Sequence, residues 1–136
     1  MGDEALAVAT RALARREHSA RSLRERLLRA GVPEDDADDA LEELQRLGLL
    51  DDRRFATERA RVLAERGKGD ATIRFDLERG GVDGAEIESA LGALEPESER
   101  ASRIVERRGA TPATARLLAS RGFDETVVEP LVARER

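Results

Sequence analysis

The chain has 136 residues and carries 24 Lys and Arg against 29 Asp and Glu, a formal net charge of −5. It has no cysteine, which excludes disulfides, a thiolate nucleophile and cysteine-based metal sites, and its net acidity argues against non-specific DNA binding driven by bulk charge. Only three residues are aromatic and 39% are charged, while the abundant Ala, Leu, Arg and Glu are strong helix formers. Each helix therefore has an apolar stripe to bury and little more, so an all-α, thin and elongated molecule is expected. No run reaches the ~18 apolar residues of a transmembrane helix, and the first residues lack the basic start and apolar centre of a secretion signal. Cytoplasmic placement and a monomer are the expectations.

In chain order, helices are predicted at 3–16, 19–30, 34–47, 51–66, 70–79, 83–94, 97–108, 112–121 and 124–134. Ser19, Asp70 and Asp83 stand where N-caps are wanted, with Glu86 placed to complete a capping box on Asp83. Thr111-Pro112 sets a cap before a proline at the first helical position, and Asp124 opens the last helix. Gly31, Gly48, Gly67, Gly80 or Gly81, Gly109 and Gly122 fall at helix ends, where the left-handed conformation is needed.

Gly31, Gly81 and Gly122 also expose a repeat. Each is preceded at one fixed distance by a leucine (Leu27, Leu77, Leu118), followed directly by an apolar residue (Val32, Val82, Phe123), and followed further on by Leu41, Leu91 or Val132. This divides the chain into three degenerate three-helix repeats at 1–50, 51–95 and 96–136. Such units cannot bury their own apolar faces well and rely on stacked neighbours. A tandem helical array presents a binding surface rather than a catalytic pocket. Charge alternates along it: 5–31, 53–68 and 103–121 are basic, while 32–52, 69–94 and 122–136 are acidic.

The candidate partner-binding residues are the cations of the basic stretches. Arg11, Arg15, Arg21 and Arg24 belong to the first unit, Arg54, Arg61 and Lys68 to the second, and Arg103, Arg107 and Arg116 to the third. The competing reading is a solvated surface in which these arginines meet acids one helical turn away, as Arg54–Glu58 or Arg61–Glu65. Asp51-Asp52 reads as a helix cap rather than a metal pair, because adjacent helical residues point apart. Phe55, and with it Phe75 and Phe123, reads as a core anchor, although an exposed phenylalanine can stack on a base. Gly67-Lys68-Gly69 is a tight turn, since neither the strand nor the pattern of a phosphate loop surrounds it. His18, the single histidine, has no recognisable nucleophile partner. Nothing points to an enzyme, a cofactor or a metal.

The block Leu50-Asp51-Asp52, Arg54-Phe55-Ala56, Arg61, Gly67-Lys68-Gly69, Ile73, Leu77 and Gly81-Val82 resembles the RecX family, regulators of the RecA recombinase. The helix from Ser19 to Gly31 and the motif Arg121-Gly122-Phe123 are similar to further family signatures, so the resemblance covers nearly the whole chain. Two details depart from it: Asp76-Leu77 stands where the family writes Glu-Leu, and Gly80-Gly81-Val82 where it writes Lys-Gly-Ile. The resemblance implies three tandem three-helix repeats in a curved array, with Asp51, Asp52, Phe55, Gly67, Gly69, Ile73, Leu77, Gly81 and Phe123 as its structural motif. It also implies binding to RecA and to its filament on single-stranded DNA, with weak direct DNA contact. Recombinase, ATPase and coprotease activities would fall, modulating homologous recombination, DNA repair and the SOS response. The alternative is a stand-alone DNA-binding protein of helix-turn-helix-like units. The acids Glu34, Asp35, Asp36, Asp38 and Asp39, near any recognition helix of the first unit, argue against it.

Overall fold

The structure, a computed structural model, describes residues 2–133. Among them are α1 (Gly2–Arg15), α2 (Ala20–Arg29), α3 (Glu34–Arg46), α4 (Asp52–Glu65), α5 (Asp70–Arg79), α6 (Gly84–Gly92), α7 (Glu97–Arg108), α8 (Pro112–Ser120) and α9 (Glu125–Ala133), with no strand. The expected end of the last helix at 134 lies outside the described residues.

Short polar side chains set most of the helix starts. Ser19 Oγ accepts from the Ser22 N–H at 3.1 Å, Asp51 Oδ1 from Arg53 and Arg54, Thr111 Oγ1 from Thr114, and Asp124 Oδ1 from Thr126 at 2.8 Å. Each satisfies a backbone donor that the first turn leaves without a partner. Two expectations need correction. The cap of α5 is Gly69, and Asp70 is already helical; the Asp70 carboxylate instead takes the Arg100 guanidinium. Asp83 does cap α6 through the Ala85 N–H, but Glu86 does not reach back to close a capping box. It pairs with Arg53 on α4 at 3.0 Å.

The repeated leucine–glycine–apolar pattern has a structural cause. At each second helix the glycine turns left-handed, with φ of 90°, 80° and 89° at Gly31, Gly81 and Gly122. The next residue's N–H then returns to the leucine carbonyl: Val32 to Leu27, Val82 to Leu77 and Phe123 to Leu118, at 3.0–3.1 Å. This is the Schellman closure, which satisfies orphan carbonyls and turns the following apolar residue inward. Val32, Val82 and Phe123 are all buried.

Buried side chains collect in three clusters, each within one unit, so the units bury their own apolar stripes and do not rely on stacked neighbours as expected. The first joins Ala5, Leu23, Leu27, Leu41 and Leu44 across α1–α3. The second joins Ala60, Leu63, Ile73, Leu77 and Ile87 across α4–α6. The third joins Ala101, Ile104, Leu118, Phe123 and Val128 across α7–α9. The exposed surface, 8444 Å², exceeds the roughly 7,000 Å² of a compact monomer of this mass, as expected when small units are strung in a row. The phenylalanines do not behave alike. Phe123 is a core residue, Phe55 is half-buried, and Phe75, expected inside, is 61% exposed. Ile73 and Leu77, one turn apart, already fill the inward stripe of α5, which leaves Phe75 on the far side. There the Arg79 guanidinium lies over its ring.

Candidate functional site

Successive units meet at two joints built to one plan. At the first, the Ala20 N–H, at the start of α2, donates to the Asp52 carboxylate at 2.7 Å, and Ser19 Oγ donates to the Gly80 carbonyl at 2.7 Å. At the second, the Asp70 N–H, at the start of α5, donates to the Glu97 carboxylate at 2.7 Å. The Gly69 and Ala71 N–H groups donate to the carbonyls of Arg121 and Gly122. In both, the first acidic residue of a unit's leading helix satisfies, and electrostatically favours, the N-terminus of the previous unit's second helix. Asp51 and Asp52 thus divide the work: Asp51 caps its own helix and Asp52 clamps the neighbouring unit. Gly81 permits the Arg21 side chain to lie across the first joint, because a β-carbon there would sit 2.8 Å from Arg21 Cβ.

The candidate cations divide by what holds them. Arg24 is paired with Asp38 at 2.7 Å and Glu34 at 3.1 Å. Arg54 spans the first joint, donating to Glu17 at 2.8 Å and to the carbonyls of Gly48 and Leu49, and so does not pair with Glu58. Arg61 sits between Glu58 and Glu65 on its own helix. That pairing raises its pKa and lowers that of Glu58. Arg103 pairs with Glu95. Arg11, Arg15, Arg21, Arg107 and Arg116 are exposed, Lys68 is partly exposed, and none of these six has an ion-pair partner among the described residues. Arg11 and Arg15 lie one turn apart on α1. Arg116 stands on α8.

Two of the clefts beside the joints carry three or more arginines. The first, of about 560 Å³, is lined by Arg16, Glu17, Arg54, Phe55, Glu58, Arg59 and Val62. Its cations are matched except Arg16, with Arg59 held by both oxygens of Asp76 at 2.9 and 3.0 Å. The second, of about 440 Å³, is lined by Glu65, Arg66 and Gly67 at the end of α4, Arg100, Arg103, Ile104, Glu106 and Arg107 on α7, and Arg121 and Phe123. Arg100 is fixed there by Asp70 and by the Lys68 carbonyl, with the Phe123 ring 5.9 Å from its guanidinium carbon. Arg66, Arg107 and Arg121 carry no ion-pair partner among the described residues. Of this cluster the sequence singled out Arg103 and Arg107 as cations, and Arg121 only as part of a motif. Arg66 and Arg100 were missed. The available signal was the spacing of Arg100, Arg103 and Arg107, which puts all three on one face of α7.

His18 is buried at the first joint, with Nδ1 3.3 Å from Ser22 Oγ. Burial, reinforced by Arg16 and Arg26, holds its pKa below the ordinary 6.5. Among the described residues no group of His, Asp and Glu is arranged to hold a metal ion, and no helix is long and apolar enough to cross a membrane.

Comparison with known proteins places this architecture. Residues 5–44 match the RecX first three-helix domain, and residues 51–91 match the RecX second three-helix domain. The chain belongs to the RecX family. It is 37% identical over 122 residues to the regulatory protein RecX of Stenotrophomonas maltophilia (strain K279a), covering 82% of this chain and 75% of that protein. It is 38% identical to the RecX of Acidithiobacillus ferrooxidans (strain ATCC 53993 / BNL-5-31), covering 96% and 91%. The crystal structure of RecX from Lactobacillus salivarius superposes with a TM-score of 0.82 at 17% identity, over 98% of this chain and 95% of that one. A second RecX crystal structure reaches 0.83 at 22% identity, over 99% and 73%. The matched domains coincide with α1–α3 and α4–α6, and the solved structures extend the likeness through α7–α9. These RecX relatives are named regulatory proteins, and a regulatory role comes with the family.

Proposed function

We propose that this protein binds RecA, chiefly its filament on single-stranded DNA, and restrains it, lowering strand exchange, ATP hydrolysis and RecA-stimulated repressor cleavage. RecX family membership carries the reading. The molecule fits it physically: three short units in a row give a long contact surface for a small core, which suits a long helical partner. Arg11, Arg15 and Arg21 from the first unit and Arg107 and Arg116 from the third are exposed cations that folding leaves available to acidic or phosphate groups.

Arg54 acts through geometry rather than contact, because its guanidinium is spent on the first joint. Arg24 and Arg61 are partly neutralised by their own acids, so their removal weakens binding less than removal of the unpaired set. The exposed acids of α3 disfavour the alternative of helix-turn-helix DNA recognition, since Glu34, Asp35, Asp38 and Asp39 would face phosphate if α3 entered a groove.

Cosedimentation with preformed RecA filaments tests the binding. The expected result is retention of this protein with the filament and weaker retention of the double substitution Arg11→Ala with Arg15→Ala. Retention equal to that on bare single-stranded DNA contradicts a RecA-directed role.

A further inference from the structure

We infer that the cleft between the second and third units is an anion site that takes a phosphate group, with Arg66, Arg107 and Arg121 as its ligands. In the first cleft two of the three arginines are answered by acids, Arg54 by Glu17 and Arg59 by Asp76. Arg66, Arg107 and Arg121, without an ion-pair partner among the described residues, line one cleft of about 440 Å³ together, beside Glu106 and beside Glu65, which Arg61 already holds. Their mutual repulsion is relieved by an anion between them.

The other cleft supplies an internal control. Its wall on α4 is built from Phe55, Glu58, Arg59 and Val62, at the same helical spacings as Arg100, Arg103, Ile104 and Arg107 on α7. The first joint closes with a ring, an acid and a valine where the second carries three arginines. The fold of the joint therefore does not require arginine at those positions; Arg100 and Arg103 are held by Asp70 and Glu95, and Arg107, standing where the first cleft has Val62, is held by no acid among the described residues.

Geometry favours phosphate. Arg66 comes from the end of α4, Arg107 from α7 and Arg121 from the end of α8, so donors approach from three elements. A tetrahedral oxyanion offers oxygens in several directions, and guanidinium forks match it in pairs. Arg100, matched by Asp70 and the Lys68 carbonyl, forms the floor of the cleft without adding net charge. A cleft of this volume accommodates the phosphates of a free nucleotide or a stretch of phosphodiester backbone. The inference shares Arg107 with the RecA proposal but does not rest on it, and its test contains no RecA.

Fluorescence anisotropy of a labelled oligothymidylate against the full chain at low salt measures the site, with unlabelled ATP as a competing arm and a labelled acidic peptide as a carboxylate arm. Arg66→Gln and Arg107→Gln should each weaken phosphate-ligand binding about tenfold. On the strand, each should reduce the steepness of the salt dependence by about 0.7 in log–log slope. Arg16→Gln, in the first cleft, should stay within about twofold of wild type. Coincident thermal melts by circular dichroism establish that all variants are folded. Displacement of the strand by ATP, with the same variant sensitivity, identifies free nucleotide phosphates as the source; strand binding without displacement identifies the phosphodiester backbone. Wild-type affinity in both variants, an equal loss in Arg16→Gln, no binding of either phosphate ligand, or tighter binding of the acidic peptide through the same arginines would each overturn the inference.

Discussion

Asp51 and Asp52 are neighbours with identical side chains, and their different partners predict different failures. Asp51→Ala removes an N-cap and should cost about 1 kcal/mol in urea unfolding. Asp52→Ala leaves the Ala20 N–H at the joint without its acceptor, so its effect should appear as faster amide exchange at the start of α2, an element Asp52 does not belong to. The phenylalanines separate in the same way. Phe123→Ala empties a buried core position and should cost about 3–5 kcal/mol, whereas the exposed Phe75 should tolerate alanine to within about 0.5 kcal/mol; equal losses would contradict the burial described. His18 gives a pH signature. Its folded pKa lies below the ordinary 6.5, so the unfolded chain takes up a proton that the native state resists. Its contribution is complete above that value and is lost as pH falls through it, by no more than about 1.4 kcal/mol per pH unit. Glu43, Glu58 and Glu88 are held below the ordinary 4.5 by Arg46, Arg61 and Arg74, so their losses belong to a lower pH range. A midpoint that is flat between pH 7 and 5, or unchanged in slope by His18→Gln, would remove His18 from the account.

At the scale of elements, the Schellman turns show where local rules stop. Gly31 and Gly122 are equivalent in the repeat and in φ. A β-carbon at Gly31 meets nothing, whereas one at Gly122 falls 2.6 Å from the Thr72 backbone nitrogen across the second joint. Gly31→Ala should cost only the conformational strain of about 1–2 kcal/mol. Gly122→Ala should cost clearly more and should loosen α5 against the third unit. Equal unfolding midpoints would mean that the joint is not closely packed. The turn itself was legible in the sequence, because it depends on a leucine, a glycine and an apolar residue within one stretch of chain. The nine helices among the described residues were legible for the same reason. The joints were not: Arg54 with Glu17, Asp52 with Ala20 and Gly69 with Arg121 join residues that no spacing rule connects. That is also why Asp70 was read as a cap when its carboxylate belongs to Arg100, and why Arg66 and Arg100 were overlooked as cleft residues. Which arginines remain unpaired is decided by tertiary contacts, not by charge runs.

At the scale of the whole molecule, three small cores linked by hydrogen-bonded joints make a chain whose stability is approximately a sum over units and interfaces. Disturbing one joint changes how the units are aimed more than whether they fold. Arg54→Ala should therefore keep its helical circular dichroism and lose activity by misorienting the first unit, while a change at Arg15 should act by removing a contact. The most direct test of the central claim is RecA ATP hydrolysis on saturating single-stranded DNA, titrated with this protein so that sequestration of DNA cannot mimic inhibition. Inhibition at less than one molecule per RecA protomer is the result predicted for a protein that restrains the filament. Undiminished hydrolysis in the presence of excess folded protein would contradict it.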